Sequence, residues 1–353
     1  MTTPPIPSPL QAAISKLAHH QPISAEDAAD AFDVIMRGEA SELQVAAMLT
    51  GLRVRGETSD IVAGVVTALR KAMVRLEADN QDELVDTCGT GGGAVTTFNI
   101  STAAALLAAG AGVRVAKHGN RSFTSRCGSA DVLEALGVRL DVPVATMEHA
   151  LRQAGIVFMY APLMHPAMRH VGPVRRELAI PTVMNVVGPL ANPAGARRQV
   201  VGVADPQRVK ILAGALVALD SLHSLVVHGE PGLDEISPLD KTRVVEVKDG
   251  ATNQWTIDPA KYGYTGFSAA DLAGGDAAEN ARIVTEALTS ARARTRFAGA
   301  RAAVVLNAAA AIYVSGKAGN YDQGVEMARE ALDAGEGLAA LERLRGAYSS
   351  APD

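Results

Sequence analysis

Cysteine is nearly absent from this 353-residue chain, which has only Cys88 and Cys127. Both lie in loop-like motif regions, which argues for a reducing compartment over a disulfide framework and leaves too few thiols for a metal cluster. A run long enough to cross a bilayer is also missing. The longest nearly apolar stretch, Ala302 to Val314, is interrupted by Asn307 and falls short of the roughly 20 residues that a spanning helix needs. The opening MTTPPIPSPL carries neither the basic nor the apolar segment of a secretory leader, so a cytoplasmic protein without a membrane partner is expected. Basic excess is lacking too. With 33 Lys and Arg against 38 Asp and Glu, the net charge is −5. That argues against an obligate nucleic-acid binder, while a phosphorylated ligand needs only a local basic patch. Internal repeats and low-complexity tracts are absent, and 48% hydrophobic content suffices for a sizeable core.

The hydrophobic pattern divides the chain. Apolar residues at helical spacing predict helices near 9–20, 24–37, 42–52 and 59–76. Ser24 with Asp27, and Ser41 with Gln44, stand three apart just before apolar runs, as capping boxes do. Beyond residue 80, short β-branched runs alternate with Ala/Leu-rich helical ones. The expected order is strand 84–86, helix 101–109, strand 113–117, helix 129–136, strand 138–142, helix 144–154 and strand 156–160. Segment 165–190 interrupts with a helix and Pro/Gly-rich turns. The alternation resumes with strand 199–204, helix 206–219 and strand 224–229, two further strands at 242–248 and 253–258, and helices 276–293, 300–316 and 321–347. Such alternation predicts an α/β fold with a mainly parallel central sheet. A small helical domain over 1–78, with a contribution from about 165–190, should precede a larger α/β domain over 79–353.

Ligands of open parallel sheets bind beyond the carboxyl ends of the strands, so the segments there are the places to look for chemistry. After the first strand comes DTCGTGGGAVTTFNIST, with Gly89, Gly91, Gly92 and Gly93 in one loop. Glycines let successive N–H groups face one concavity, threonine hydroxyls add donors, and the helix N-terminus that follows favours negative charge. Ala94-Val95 stand where a P-loop needs Lys-Ser/Thr, and no clean dinucleotide fingerprint is present. A tight turn without a ligand is the competing reading of this loop alone. After the second strand, KHGNRSFTS and Gly128-Ser129 gather cations, hydroxyls and a helix start, which suits a phosphate-rich ligand better than a solvated basic loop. Arg175-Arg176 offers a fork for a carboxylate, although surface arginines are ordinary. His165 and His170, five apart, are poorly spaced for a helical metal pair. Asp234-Glu235, just past a strand, presents the hard oxygen ligands that Mg²⁺ uses beside a polyphosphate, or else an exposed turn.

Taken in order, DTCGTGG (86–92), FNIST (98–102), KHGNRS (117–122), GSADVLEALG (128–137), NVVGPLANP (185–193) and LDEIS (233–237) resemble the anthranilate phosphoribosyltransferase family over nearly the whole chain. The related pyrimidine nucleoside phosphorylases share the architecture, but the intact KHGNRS and NVVGPLANP favour the anthranilate branch. The resemblance implies a nucleoside phosphorylase/phosphoribosyltransferase-like fold and a homodimer formed through the helical domain. It also implies transfer of the 5-phosphoribosyl group from phosphoribosyl pyrophosphate to anthranilate, in tryptophan biosynthesis, with Mg²⁺ as cofactor.

Carried over by position, the resemblance implies that Gly89, Gly92, Gly93, Thr97, Asn99, Ile100, Ser101 and Thr102 hold phosphoribosyl pyrophosphate. Lys117, His118, Gly119, Asn120, Arg121, Ser122, Ser125 and Ser129 would complete that site. Gly89, Asn120 and Arg175 would contact anthranilate, and Ser101, Asp234 and Glu235 the metal. No nucleophile or base is required, because an aromatic amine is already a neutral nucleophile. One departure stands out: family members usually follow GTGG with an acidic residue and a glycine, whereas Gly93-Ala94 stand here.

Overall fold

A computed structural model describes residues 7–122, 126–290 and 297–349. The chain begins with helices α1 (Pro9–Ala18), α2 (Ala25–Met36), α3 (Glu42–Arg55) and α4 (Ser59–Ala72). Both expected capping boxes form, each with its reciprocal pair of hydrogen bonds, and Ser8 with Gln11 makes a third at α1. Gly56, at φ 93°, ends α3 in a conformation that strains any residue with a Cβ.

The α/β region follows as β1 (Leu84–Gly89), α5 (Ile100–Gly110), β2 (Arg114–Gly119), α6 (Ser129–Ala135), α7 (Val144–Ala154) and β3 (Ile156–Tyr160). Short helices α8 (Ala161–Met164), α9 (Gly172–Leu178) and α10 (Met184–Val187) fill the interruption. Then come β4 (Arg198–Gly202), α11 (Val209–Ala218), β5 (His223–Gly229), β6 (Thr242–Lys248) and β7 (Ala251–Ile257), and finally α12 (Ala277–Leu288), α13 (Ala298–Val314), α14 (Tyr321–Asp333) and α15 (Glu336–Ser349). The seven strands form one sheet in the order β3-β2-β1-β4-β5-β6-β7. β3 through β5 run parallel, and β6 and β7 close the far edge antiparallel.

Two expectations are corrected. Residues 138–142 alternate apolar and polar side chains but form no strand. Val138, Leu140 and Val142 are buried in the core, while the free edge of β2 is taken by β3, so 138–142 packs without a ladder. The single helix expected over 321–347 is two. Gly335, at φ 78°, breaks the pattern between α14 and α15.

Alternate residues of the central strands feed two cores. Val200, Leu225 and Val244 point into the one that α5, α13 and α15 cover. Val201, Val226 and Val245 point into the other, shared with α1–α4, α11 and residues Val171, Val174, Val183, Met184, Val186 and Val187. The helical domain is therefore packed onto one face of the sheet, and segment 171–191 lies in the same core. β1 has β2 on one side and β4 on the other, so the chain leaves it in opposite directions. That makes the carboxyl end of β1 a topological switch point, where α/β sheets open a crevice.

Candidate active site

The crevice is floored by glycines. A Cβ on Gly202, at the end of β4, would collide with the Asp234 main chain, and one on Gly89 would meet the Asp234 carboxylate. These two positions let the Asp234 turn lie directly on the strand ends. Gly91 and Gly92 take φ of 70° and 78°, and the loop is tied down at both ends. Thr90 N–H donates to the Gly202 carbonyl at 2.9 Å, Ala204 N–H to Thr90 Oγ1 at 3.2 Å, and Ala94 N–H to the Gly232 carbonyl at 2.9 Å. Gly91 N–H donates to Asp234 Oδ2 at 2.7 Å. One donor of the expected anion cradle is thus already occupied. The N–H groups of Gly92 and Gly93 have no partner among the described residues.

At the start of α5, Ser101 N–H donates to Glu235 Oε1 at 3.1 Å. Asn99 precedes the helix without capping it; its amide instead donates to the Cys127 carbonyl and accepts from Asn280 at 2.9 Å. Thr97 pairs in a short bridge with Ala273, Ile100 is buried in the core, and the buried Thr102 hydroxyl has no partner among the described residues.

Lys117, from β2, enters the same space. It is 3% exposed and donates to the Thr87 carbonyl, and to Ser101 Oγ at 3.3 Å. Burial holds its ammonium below the ordinary lysine value, opposed first by the nearby Asp86 carboxylate. Asp86 is itself fully buried, and burial pushes its carboxyl up to about 6. Asn192 Nδ2 donates to Asp86 at 2.7 Å and to the Ala116 carbonyl at 2.8 Å, while His118 N–H donates to Asp86 at 3.2 Å. Asp86 and Asn192 stand inside the recognisable motifs, but residue type alone gave neither of them a role. Together they brace β1 against β2 beneath the crevice.

Asp234 and Glu235 are the site's negative charge. Burial raises the carboxyls of both, and the neighbouring Asp234 adds to the burial effect in lifting Glu235 to about 8. No arginine or lysine forms an ion pair with either among the described residues. Two adjacent half-buried carboxylates with no cationic partner among the described residues are what a hard divalent cation compensates, so the donor set fits Mg²⁺ with water and phosphate oxygens completing its shell. No cluster of three or more His, Cys, Asp or Glu exists among the described residues, so an all-protein cage is not what these residues build.

The turn after β2 is differently committed. Arg121 donates to Asp131 at 2.8 Å, forms an ion pair with Glu134 at 2.5 Å, and lies over the Tyr160 ring. The cation expected to be free for phosphate is therefore paired with α6, because two acids of one helix face reach it. Ser122 N–H donates to Asp131, and Ser129 Oγ to the Asn120 carbonyl at 3.3 Å. A Cβ on Gly119 would press against Ser129 and Phe158, so β2 passes close to the start of α6. Ser125 lies outside the described residues.

His118 and His165 meet with ring centroids 4.9 Å apart, joining the segment before α9 to the end of β2. Burial is the main force that drops His118 to about 3 and His165 to about 4, so both rings are neutral. His170 lies apart from this pair, accepting from Arg169. On α9, Arg175 is half-buried and has no ion-pair partner among the described residues, and burial alone lowers its pKa. An unpaired, partly desolvated guanidinium suits a ligand carboxylate.

The helical bundle and the switch-point sheet are the two domains of the glycosyl transferase family: its helical bundle domain matches residues 11–73 and its a/b domain residues 81–338. Among curated relatives, the anthranilate phosphoribosyltransferase of Rubrobacter xylanophilus is 48% identical, covering 95% of this chain and 96% of its own. That of Anaeromyxobacter dehalogenans is also 48% identical, covering 95% and 97%. The chain belongs to the anthranilate phosphoribosyltransferase family. The crystal structure of the Thermus thermophilus enzyme superposes with a TM-score of 0.89 at 40% identity, covering 96% of this chain and 99% of that one. The Saccharomyces cerevisiae enzyme in complex with PRPP and Mg superposes at 0.87 and 28% identity, covering 97% and 98%.

Proposed function

We infer that this chain transfers the 5-phosphoribosyl group from phosphoribosyl pyrophosphate to anthranilate, giving N-(5-phosphoribosyl)anthranilate and pyrophosphate in tryptophan biosynthesis. The observation that carries this reading is the meeting, at the switch point, of two half-buried carboxylates, a glycine loop, a helix start and the buried Lys117. In the reaction, the anthranilate nitrogen bonds to the anomeric carbon, the bond from that carbon to the pyrophosphate oxygen breaks, and the amine loses a proton. Asp234 and Glu235, with Ser101, hold Mg²⁺, which when bound neutralises charge on the departing pyrophosphate.

The chain's own groups supply position and field. Lys117 faces the same anion from a dry site, where its charge acts at low dielectric. The N–H groups of Gly92 and Gly93, with Thr97, Asn99, Ile100 and Thr102 beyond them, line its other side. Gly119, Asn120, Arg121, Ser122, Ser125 and Ser129 receive the ribose 5-phosphate, Arg121 by exchanging Asp131 and Glu134 for phosphate oxygens. Arg175 takes the anthranilate carboxylate beside Gly89 and Asn120, so that binding aligns the amine with the anomeric carbon, while the neutral His118 stays with the phosphoribosyl pyrophosphate loop. No side chain acts as a nucleophile.

The same reading makes the chain a homodimer. Leu43 and Val54, exposed at 84% and 81% on α3 of the helical domain, are apolar side chains that a second copy would cover. Cys88 and Cys127, neither of them in a disulfide, support a reducing cytoplasmic setting. Loss of anthranilate fluorescence on incubation with the chain and Mg²⁺ tests the activity. Consumption is expected only when phosphoribosyl pyrophosphate is present, and its absence under all conditions would overturn the reading.

A further inference from the structure

We propose that Asn307 is a positioning residue for the Asp234–Glu235 pair, holding the backbone just beyond them so that both carboxylates face the glycine loop and the start of α5. The inference rests on the metal-holding role given to that pair above.

Asn307 lies in the middle of α13, within an apolar stretch, and is 2% exposed. A buried amide in such a place is costly unless its hydrogen bonds are made. They are made to a single distant residue and to the helix itself. Oδ1 accepts the Ile236 N–H at 2.9 Å, and Nδ2 donates to the Ile236 carbonyl at 2.9 Å and to the Ala303 carbonyl at 2.9 Å. One side chain thus satisfies both backbone groups of the residue that follows Glu235, as a neighbouring strand would. Ile236 belongs to no helix or strand, and neither group has a backbone partner among the described residues.

Ser237, on the far side, is held by Thr242 Oγ1 at 2.9 Å and by the Glu230 carbonyl at 2.7 Å, so the backbone of Ile236 is the part of the turn left to Asn307. A Cβ on Gly202 would strike the Asp234 carbonyl, and one on Gly229 would stand 2.5 Å from the Glu235 carbonyl oxygen. Gly229 also anchors the near side of the turn, its N–H donating to the Leu233 carbonyl at 3.0 Å and its carbonyl accepting from Leu233 N–H at 2.7 Å, but neither glycine reaches Ile236. Ser101 N–H reaches Glu235 at 3.1 Å, and Gly91 N–H reaches Asp234 at 2.7 Å. Rotation of the backbone at Ile236 would break the alignment of both. Leucine at 307 would fill nearly the same volume but leave two buried backbone groups unsatisfied, so the turn would move to find partners.

The test is Mn²⁺ binding by the full chain with phosphoribosyl pyrophosphate present and anthranilate absent, followed by loss of the free-ion EPR signal. Asn307→Leu should weaken protein-dependent Mn²⁺ binding at least tenfold. Asn307→Asp keeps the shape and the acceptor for Ile236 N–H while losing both donations, and should weaken binding less. Ile312→Ala, a cavity variant farther along α13, serves as the control for simple loss of stability. It should lower the thermal midpoint and leave Mn²⁺ affinity unchanged. If the Asn307 variants bind Mn²⁺ within twofold of the parent, or if Ile312→Ala weakens binding equally, the proposal fails. Should Asn307→Leu not fold, Asn307→Asp decides alone by the same twofold criterion. A parent chain that binds no Mn²⁺ overturns the metal reading itself, and this inference with it.

Discussion

Replacing Arg175 by alanine separates a ligand-binding arginine from a structural one. The guanidinium is half-buried on α9, unpaired among the described residues, and its pKa is lowered by burial alone. In the free chain it therefore bears a desolvation cost with no ion pair to offset it. On the proposed reading, its charge-assisted hydrogen bonds to the anthranilate carboxylate would contribute about 1.5–3 kcal/mol. At about 1.4 kcal/mol per factor of ten, losing them raises KM for anthranilate roughly 10- to 150-fold. The carboxylate is remote from the bond being made, so the contact is felt alike in ground and transition states, and kcat should change far less. The stability arm runs the opposite way. Removing an unpaired guanidinium and installing the best helix former should leave the thermal midpoint unchanged or higher. Steady-state fluorescence kinetics and a thermal melt of the same preparation measure both. Collapse of kcat at constant KM, or a midpoint lowered by several degrees, would refute the assignment.

Asp234→Asn combined with Glu235→Gln should abolish Mg²⁺-dependent turnover and leave the melt intact, since burial already disfavours both charges; undiminished activity would sink the metal assignment. Gly93→Asp should move the Mg²⁺ optimum to lower concentration and increase inhibition at high Mg²⁺. A Cβ there would stand 3.5 Å from Asp234 Oδ1, bringing a third carboxylate toward the pair; superimposable Mg²⁺ titrations of parent and variant would count against this. His118 and His165 have folded pKa values near 3 and 4, below the ordinary 6.5. The unfolded chain thus binds more protons below 6.5, and stability falls as pH drops from about 7 to 5. Each of His118→Leu and His165→Leu should flatten that fall in urea melts; an unchanged slope in both would contradict the buried neutral pair.

The features legible in the sequence were local ones. Ser24 with Asp27 and Ser41 with Gln44 mark their helices because a capping box is complete within four residues. Strand–helix alternation exposed the parallel sheet, and glycine spacing exposed the loop after β1. What stayed hidden depends on partners remote in sequence. Residues 138–142 carry a strand pattern, but the edge that could pair with them is occupied by β3. Arg121 looks like a free cation until Asp131 and Glu134 come round on α6. Asp86 acquires its meaning from Asn192. Asn307 read only as an interruption in an apolar run, because its partner lies 71 residues earlier.

The contacts that complete the site also impose an order on its assembly. Gly91 meets Asp234 across 143 residues, and Ser101 meets Glu235 across 134. Synthesis proceeds from the N-terminus, so the glycine loop emerges long before the carboxylates that it faces, and Asn307 emerges later still. Contacts of such separation must pay the entropy of closing a long loop before they return any stability. A chain interrupted before α13 lacks both the Asn307 bonds to Ile236 and the helix that covers α5 and the central strands. The contact that fixes the turn after Glu235 can therefore form only when about nine-tenths of the chain has been made.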